Sequence, residues 1–434
     1  MKRDTPAVCE RPANCPHIGV RKTAFYLAAS LLAPAAQAYS VLTHEAIIDT
    51  AWEPGIKPLL LKRFPQASPD DLLKAHAFAY GGCIIQDMGY YPFGSRFFSD
   101  LTHYVRSGDF VVNLIRDAQD LDEYAFALGA LAHYAADNEG HPLGVNPAVP
   151  LEYPKMRRKY GALATYEDDP TDHIRVEFGF DVLQVARGRY APKAYHDFIG
   201  FEVSKPLLER AFGDTYSLEV KDVFKNLDLA LGTYRHAVSG VIPAMTKAAW
   251  STRKDELVKE QPGLTRRQFT YNLSKASYRK EWDRTYEQPG VGARVLGFFL
   301  RILPKVGPLK ALKFKAPTPQ AESYFEESFD QTMALYTKLL AETGGGQLQL
   351  VNRNFDTGQP IQPAKYRMAD DAFAKLAEKL AEKEPAEVGS QVRQDILAYF
   401  NDPELPFGTK KDPKEWQKTL AAVNKLKGEA AATQ

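Results

Sequence analysis

The sequence predicts an all-α fold. Six segments carry apolar residues at roughly i, i+3, i+4 spacing, and helix formers fill many of their polar positions. Sustained apolar–polar alternation, the strand signal, is nearly absent. At 434 residues the chain is long enough for one large domain or two smaller ones. With 55 Lys and Arg against 54 Asp and Glu, bulk charge gives no argument for nucleic acid or acidic partners.

The first element is a leader. Arg21 and Lys22 precede a largely apolar run, Thr23 to Ala36, that ends in an A-x-A-like site after Ala38. This reads as an export signal over residues 1–38, with residues 1–20 an extended leader or an upstream start codon. The run is too short for a good membrane span, and no later stretch reaches about 18 apolar residues. A soluble protein of the periplasm or the exterior is expected. Cys9 and Cys15 fall in the leader, so Cys83 stands alone afterwards and an intrachain disulfide is excluded.

The predicted helices follow in order: Leu72–Gly81, Leu114–Tyr134, Thr171–Ala186, Ser217–Ala249, Ala321–Thr343 and Ala369–Lys383. Connectors rich in Pro and Gly are read at Gly89–Gly94, Gly140–Pro154 and Gly344–Pro363. The expected organisation is a metal domain over 39–245 and a mostly helical C-terminal extension over 246–434. The end, from about Lys425, reads as a frayed tail. Residues 290–317 combine large apolar with basic residues and no acid. They suit contact with a membrane surface, or a buried connector whose lysines reach water.

The polar residues that stand out are His44, Asp87, His103, the run His133-x3-Asp137-x3-His141, and His173-x3-Glu177. Each is a zinc-type donor. Spacing of four puts His133 and Asp137 one turn apart on one helix face, and His173 and Glu177 likewise. His141 lies about 80° round from His133 by helix periodicity, so the three can serve adjacent ions. Asp172 is placed to cap its helix or to act as an outer carboxylate. Five of the nine histidines fall in this set. Mixed nitrogen and oxygen donors suit zinc, and the absence of cysteine argues against a closed structural site. His76 reads as packing or as an outer partner, while His196 and His236 have no ligand pattern.

This order of residues resembles the zinc-dependent phospholipase C superfamily, which includes bacterial phospholipases C, zinc-dependent single-strand nucleases and the catalytic domain of glycosylphosphatidylinositol phospholipase D. The resemblance covers Tyr39 to about Glu177. It implies three zinc ions. Asp87, His103, His133 and Asp137 would hold the first, and His141, His173 and Glu177 the second. The third would take the amine and carbonyl of Tyr39, the ring of His44 and the other oxygen of Asp137. A free amine at Tyr39 requires cleavage of the leader. The phospholipase C and nuclease branches typically begin on Trp, whereas this chain would begin on Tyr39. The short Asp137–His141 gap and the Thr43–His44 pair look more like the phospholipase D branch, and Glu177 more like phospholipase C.

The resemblance implies a hydrolase that cleaves phosphodiester bonds of phospholipids through a metal-activated hydroxide, with Asp87 orienting the water as general base. Two rival readings are a single-strand nuclease and a zinc-stabilised binding protein without activity. The aromatics Tyr90, Tyr91, Phe93, Phe97 and Phe98 suit base stacking, an acyl pocket or plain core.

Overall fold

The computed structural model describes residues 40–186, 201–236 and 317–433, with residues 238, 250, 251, 254, 255, 258, 259, 263, 265, 266 and 315. The leader, Tyr39, His196 and residues 290–314 lie outside them. No helix among the described residues is long and apolar enough to cross a membrane.

The fold is all-α. Counting helices of nine residues or more, the described chain forms α1 (Val41–Ala51), α2 (Pro69–Ile84), α3 (Arg96–Tyr104), α4 (Ser107–Asp117), α5 (Leu121–Glu139) and α6 (Pro170–Ala186). They are followed by α7 (Lys205–Tyr216), α8 (Leu227–His236), α9 (Pro319–Gly344), α10 (Arg367–Ala381), α11 (Ser390–Tyr399) and α12 (Pro413–Thr433). A two-residue strand β1 (Arg353–Asn354) pairs antiparallel with β2 (Gln359–Pro360).

The centre of the fold is the crossing of α2 and α5. Ser68 and Asp71 start α2 with a reciprocal capping box. Asp120 starts α5 by accepting from the Glu123 amide at 2.8 Å. The two helices touch backbone to backbone, because a Cβ on Gly82 would lie 1.9 Å from the Phe126 carbonyl oxygen, and one on Gly129 2.1 Å from that of Ala79. Only glycine permits this approach. Further along the chain, α9 lies on α5, and the Tyr336 hydroxyl donates to the Leu128 carbonyl at 2.9 Å. One apolar core includes Ile47, Phe126 and Leu131 together with Tyr336, Phe373 and Leu426, so it is continuous across position 245.

Four local expectations are corrected. Leu114–Tyr134 is two helices, α4 and α5, because Asp120 caps a new start between them. Gly140–Pro154 is not an open connector: Gly140–Val145 continues α5 as a π-helical turn, and Asn146–Glu152 is helical. The segment predicted as helix from Ser217 begins with Ser217 in the left-handed region, at φ 53°, and re-forms as Val220–Val223 and α8. The tail is not frayed from Lys425, since α12 reaches Thr433 and Leu426 is fully buried in the core. Periodicity also passed over α1, α3, α7, α11 and α12, four of them only 9–12 residues long.

Candidate metal centre

The two close glycine contacts set α2 and α5 at a distance where the Cys83 carbonyl, near the end of α2, accepts from His133 Nδ1 at 2.8 Å. A carbonyl only accepts, so the proton is on Nδ1 and the Nε2 lone pair points into the protein interior. The same device orients His103 on α3, whose Nδ1 donates to the Ser99 carbonyl at 2.8 Å. Asp87 arrives from the 3₁₀ turn Ile85–Tyr90 that follows α2. His44 comes from α1 and stacks on His133, with centroids 4.5 Å apart. Asp181 on α6 holds α1 in place, accepting from Thr43 Oγ1 at 2.6 Å and from the Leu42 amide at 3.2 Å.

These side chains converge on Asp137. Its Oδ1 lies 3.5 Å from His44 Nε2, and its Oδ2 lies 3.1 Å from His133 Nε2 and 3.5 Å from His103 Nε2. Asp87 Oδ1 is 3.3 Å from His103 Nε2. All five residues are buried. Both oxygens of Asp87, both of Asp137 and Nε2 of His133 have no hydrogen-bond partner. Two donors on one tetrahedral zinc, at bonds of about 2.0–2.1 Å, stand about 3.3 Å apart. The donor spacings here match that edge, and buried polar atoms left without hydrogen bonds are otherwise costly. The donor set therefore fits a cation.

Electrostatics agrees. Burial pushes the Asp137 carboxyl up, but the His133, His103 and His44 rings outweigh it and hold the group well below the usual carboxylate range. Burial pushes His103 down, but its contacts with Asp137 and Asp87 raise it to about 10. A proton on His103 thus supplies positive charge that the carboxylates demand, and a metal would replace it. Burial lowers His44 and raises Asp87.

A second group forms around the π-helical turn. His141 leaves the line of His133 and Asp137 there and faces His173, with ring centroids 5.0 Å apart. His173 Nε2 sits 2.9 Å from Asn146 Oδ1, while Asn146 Nδ2 donates to the Asp356 carbonyl at 2.7 Å. The amide orientation makes Nε2 of His173 the donor. Its Nδ1 lone pair then faces Glu177 Oε1 at 2.7 Å. A proton or a cation must lie between two such acceptors. Burial raises Glu177 well above, and lowers His173 well below, their usual ranges, which leaves that proton on Glu177 when no metal is bound.

Eight of the nine residues predicted as ligands are thus brought together, and their donor atoms form three tight groups: His44, His133 and Asp137; Asp87, His103 and His133; His141, His173 and Glu177. Tyr39 lies outside the described residues. Asp172 is not the cap of α6; it accepts from Arg175, and Asp169 takes the capping role through the Thr171 and Asp172 amides. His76 packs on Trp52 at 3.9 Å and pairs with Asp49, and it belongs to none of the three donor groups. Tyr90, Phe97 and Phe98 are buried, with Phe98 stacked on Phe212, so these aromatics are core rather than an open stacking surface.

One residue at the centre was missed. Asp356 lies between β1 and β2, buried, with Oδ1 3.4 Å from His141 Nε2. Its neighbour Phe355 packs on the rings of His103 and His133 at 5.2 and 6.0 Å. A single acid in an irregular stretch carries no spacing signal, and nothing in the sequence alone could have singled it out.

Residues 43–226 match the family model described as zinc dependent phospholipase C. No curated protein and no solved structure matches the chain.

Proposed function

We propose, from the match of residues 43–226 to the zinc-dependent phospholipase C family model, that this protein is an exported zinc hydrolase that cleaves phosphodiester bonds of phospholipids. The observation that supports it most is the burial, inside that segment, of three donor groups whose spacing suits zinc. Asp87, His103, His133 and Asp137 would hold one ion, and His141, His173 and Glu177 a second. His44, Asp137 and the freed amine and carbonyl of Tyr39 would hold a third.

Zinc bound there would acidify water to a hydroxide near neutral pH and neutralise charge on the phosphate. The chain's residues do the positioning. Carbonyls of Ser99 and Cys83 fix which nitrogen of His103 and His133 faces inward. Asp137 faces three histidines at once and ties the halves of the first group together. Asp87 orients the attacking water and takes its proton on a carboxylate oxygen. The leader over 1–38 directs export, and its removal frees the Tyr39 amine, which a peptide bond would otherwise occupy. Peripheral membrane contact is assigned to residues 290–317.

The test is zinc content measured together with turnover, on protein beginning at Tyr39, offered mixed phospholipids and single-stranded DNA. The expected result is about three zinc ions and lipid turnover, with turnover lost in Asp137→Asn. Turnover of DNA alone would replace this reading with the nuclease. Zinc without turnover of either substrate would leave a zinc-stabilised binding protein, and no zinc would overturn the assignment. An N-terminally extended form should carry one zinc fewer.

A further inference from the structure

Asp356 reaches the centre from far outside the segment that matches the family, and its setting is built rather than incidental. Both the Tyr104 and Tyr366 hydroxyls donate to Oδ2, the first at 2.9 Å. That leaves Oδ1 as the oxygen facing His141. The Phe355 amide donates to the His103 carbonyl at 3.3 Å. Upstream, Asn352 Oδ1 accepts from the Gly108 and Asp109 amides at 3.0 Å each, and Ser107 Oγ donates to the Arg353 carbonyl at 2.6 Å. Gly358 closes the turn at φ 66°, where a Cβ would lie 2.5 Å from the Asn138 carbonyl oxygen. The hairpin is seated at one register against α4 and α5.

The two nitrogens of His141 differ. Nε2 faces the Asp356 carboxylate, and Nδ1 is buried with no hydrogen-bond partner. If Nε2 took a metal, Nδ1 would be a buried N–H without an acceptor, which is costly. If Nδ1 takes the metal, Nε2–H has a carboxylate acceptor and every polar group has a role. His173 shows the same arrangement, with Nε2 on Asn146 and Nδ1 turned toward Glu177.

We infer that Asp356 is a positioning residue of the second zinc: the C-terminal hairpin supplies a carboxylate to Nε2–H of His141 and so turns Nδ1 toward the ion held with His173 and Glu177. This rests on the zinc reading above. With Nε2–H set toward that carboxylate, the His141 imidazole would be a better donor to the ion.

The test uses the full chain, because this group does not involve the Tyr39 amine. Zinc affinity and stoichiometry are measured for the wild type, Asp356→Ala, Asp356→Asn and Asn352→Ala. Asp356→Ala should weaken one zinc by roughly 10–100-fold, the range for loss of an outer partner of a ligand. Asp356→Asn, which keeps an acceptor oxygen, should recover part of that loss. Asn352→Ala loosens the hairpin without touching His141; it should lower thermal stability and weaken the same zinc by clearly less than Asp356→Ala does. In Asp356→Cys loaded with cobalt, no new sulfur-to-cobalt charge-transfer band should appear above the wild-type background. Such a band would make residue 356 a direct ligand and overturn the positioning role. Unchanged zinc affinity in Asp356→Ala, or an equal loss in Asn352→Ala, would overturn it as well, with the zinc reading intact. A wild type without zinc would remove both.

Discussion

The two halves of the centre are oriented in opposite ways. In the first group, His103 and His133 donate from Nδ1 to backbone carbonyls and turn Nε2 inward. In the second, His173 donates from Nε2 to a side chain, and His141 aims Nε2 at another. Backbone acceptors are fixed by the helix itself and survive substitution of the residue that carries them. Side-chain acceptors depend on single residues, here Asn146 and Asp356. The first group is therefore secured by helix packing and the second by side-chain identity.

The largest expected effect breaks the first group directly. Asp137→Asn removes the charge that faces three histidines, and turnover should fall on the order of 10³-fold, equivalent to about 4 kcal/mol. Next comes the packing behind it. Gly129→Ala would drive a methyl against the Ala79 carbonyl and separate α5 from α2. A loss of about 3 kcal/mol in denaturant unfolding is expected, together with zinc loss from the first group as the Cys83 carbonyl leaves His133. By contrast Cys83→Ala keeps that carbonyl and should leave zinc content unchanged.

Asn146→Ala sharpens the comparison. His173 would lose its Nε2 acceptor, so the second zinc should weaken by roughly 10–100-fold while the first is retained. If both weaken equally in equilibrium dialysis, the two groups are not independently secured.

The last effect is a pH dependence at Asp181, which anchors α1. Burial outweighs the hydrogen bonds it accepts and raises its carboxyl from 3.8 to about 6. The folded state then holds the proton more tightly than the unfolded one. Its contribution to stability is fully present below pH 3.8 and is lost as pH rises through about 6. Asp181→Asn should flatten that part of the stability–pH curve by roughly 2–3 kcal/mol, read by chemical unfolding at pH 4 and 7.

The same contrast explains how much was legible in the sequence. His133 with Asp137, and His173 with Glu177, are pairs one helical turn apart, and that regularity exposes them. His44, Asp87 and His103 became visible through the order of the whole set. The outer partners Ser99 and Cys83 were invisible because their backbone, not their side chain, acts. Asn146 was hidden in a stretch whose prolines suggested a loop, and Asp356 is an isolated acid in a turn. α4 and α5 ran together because apolar spacing continues past Asp120, and only the cap reveals the break. α3 and α7 are too short for their periodicity to stand out.

The hairpin also bears on the order of assembly. Tyr104 meets Asp356 across 252 residues of chain, and Tyr336 meets Leu128 across 208. Contacts this distant form late, because closing long loops has an entropic cost before any contact rewards it. A chain emerging from its N-terminus holds every predicted ligand well before Asp356 arrives. If Asp356 positions His141 as inferred, completion of the second group would be a late folding event, and full metal loading would report that the far end of the chain has reached its place.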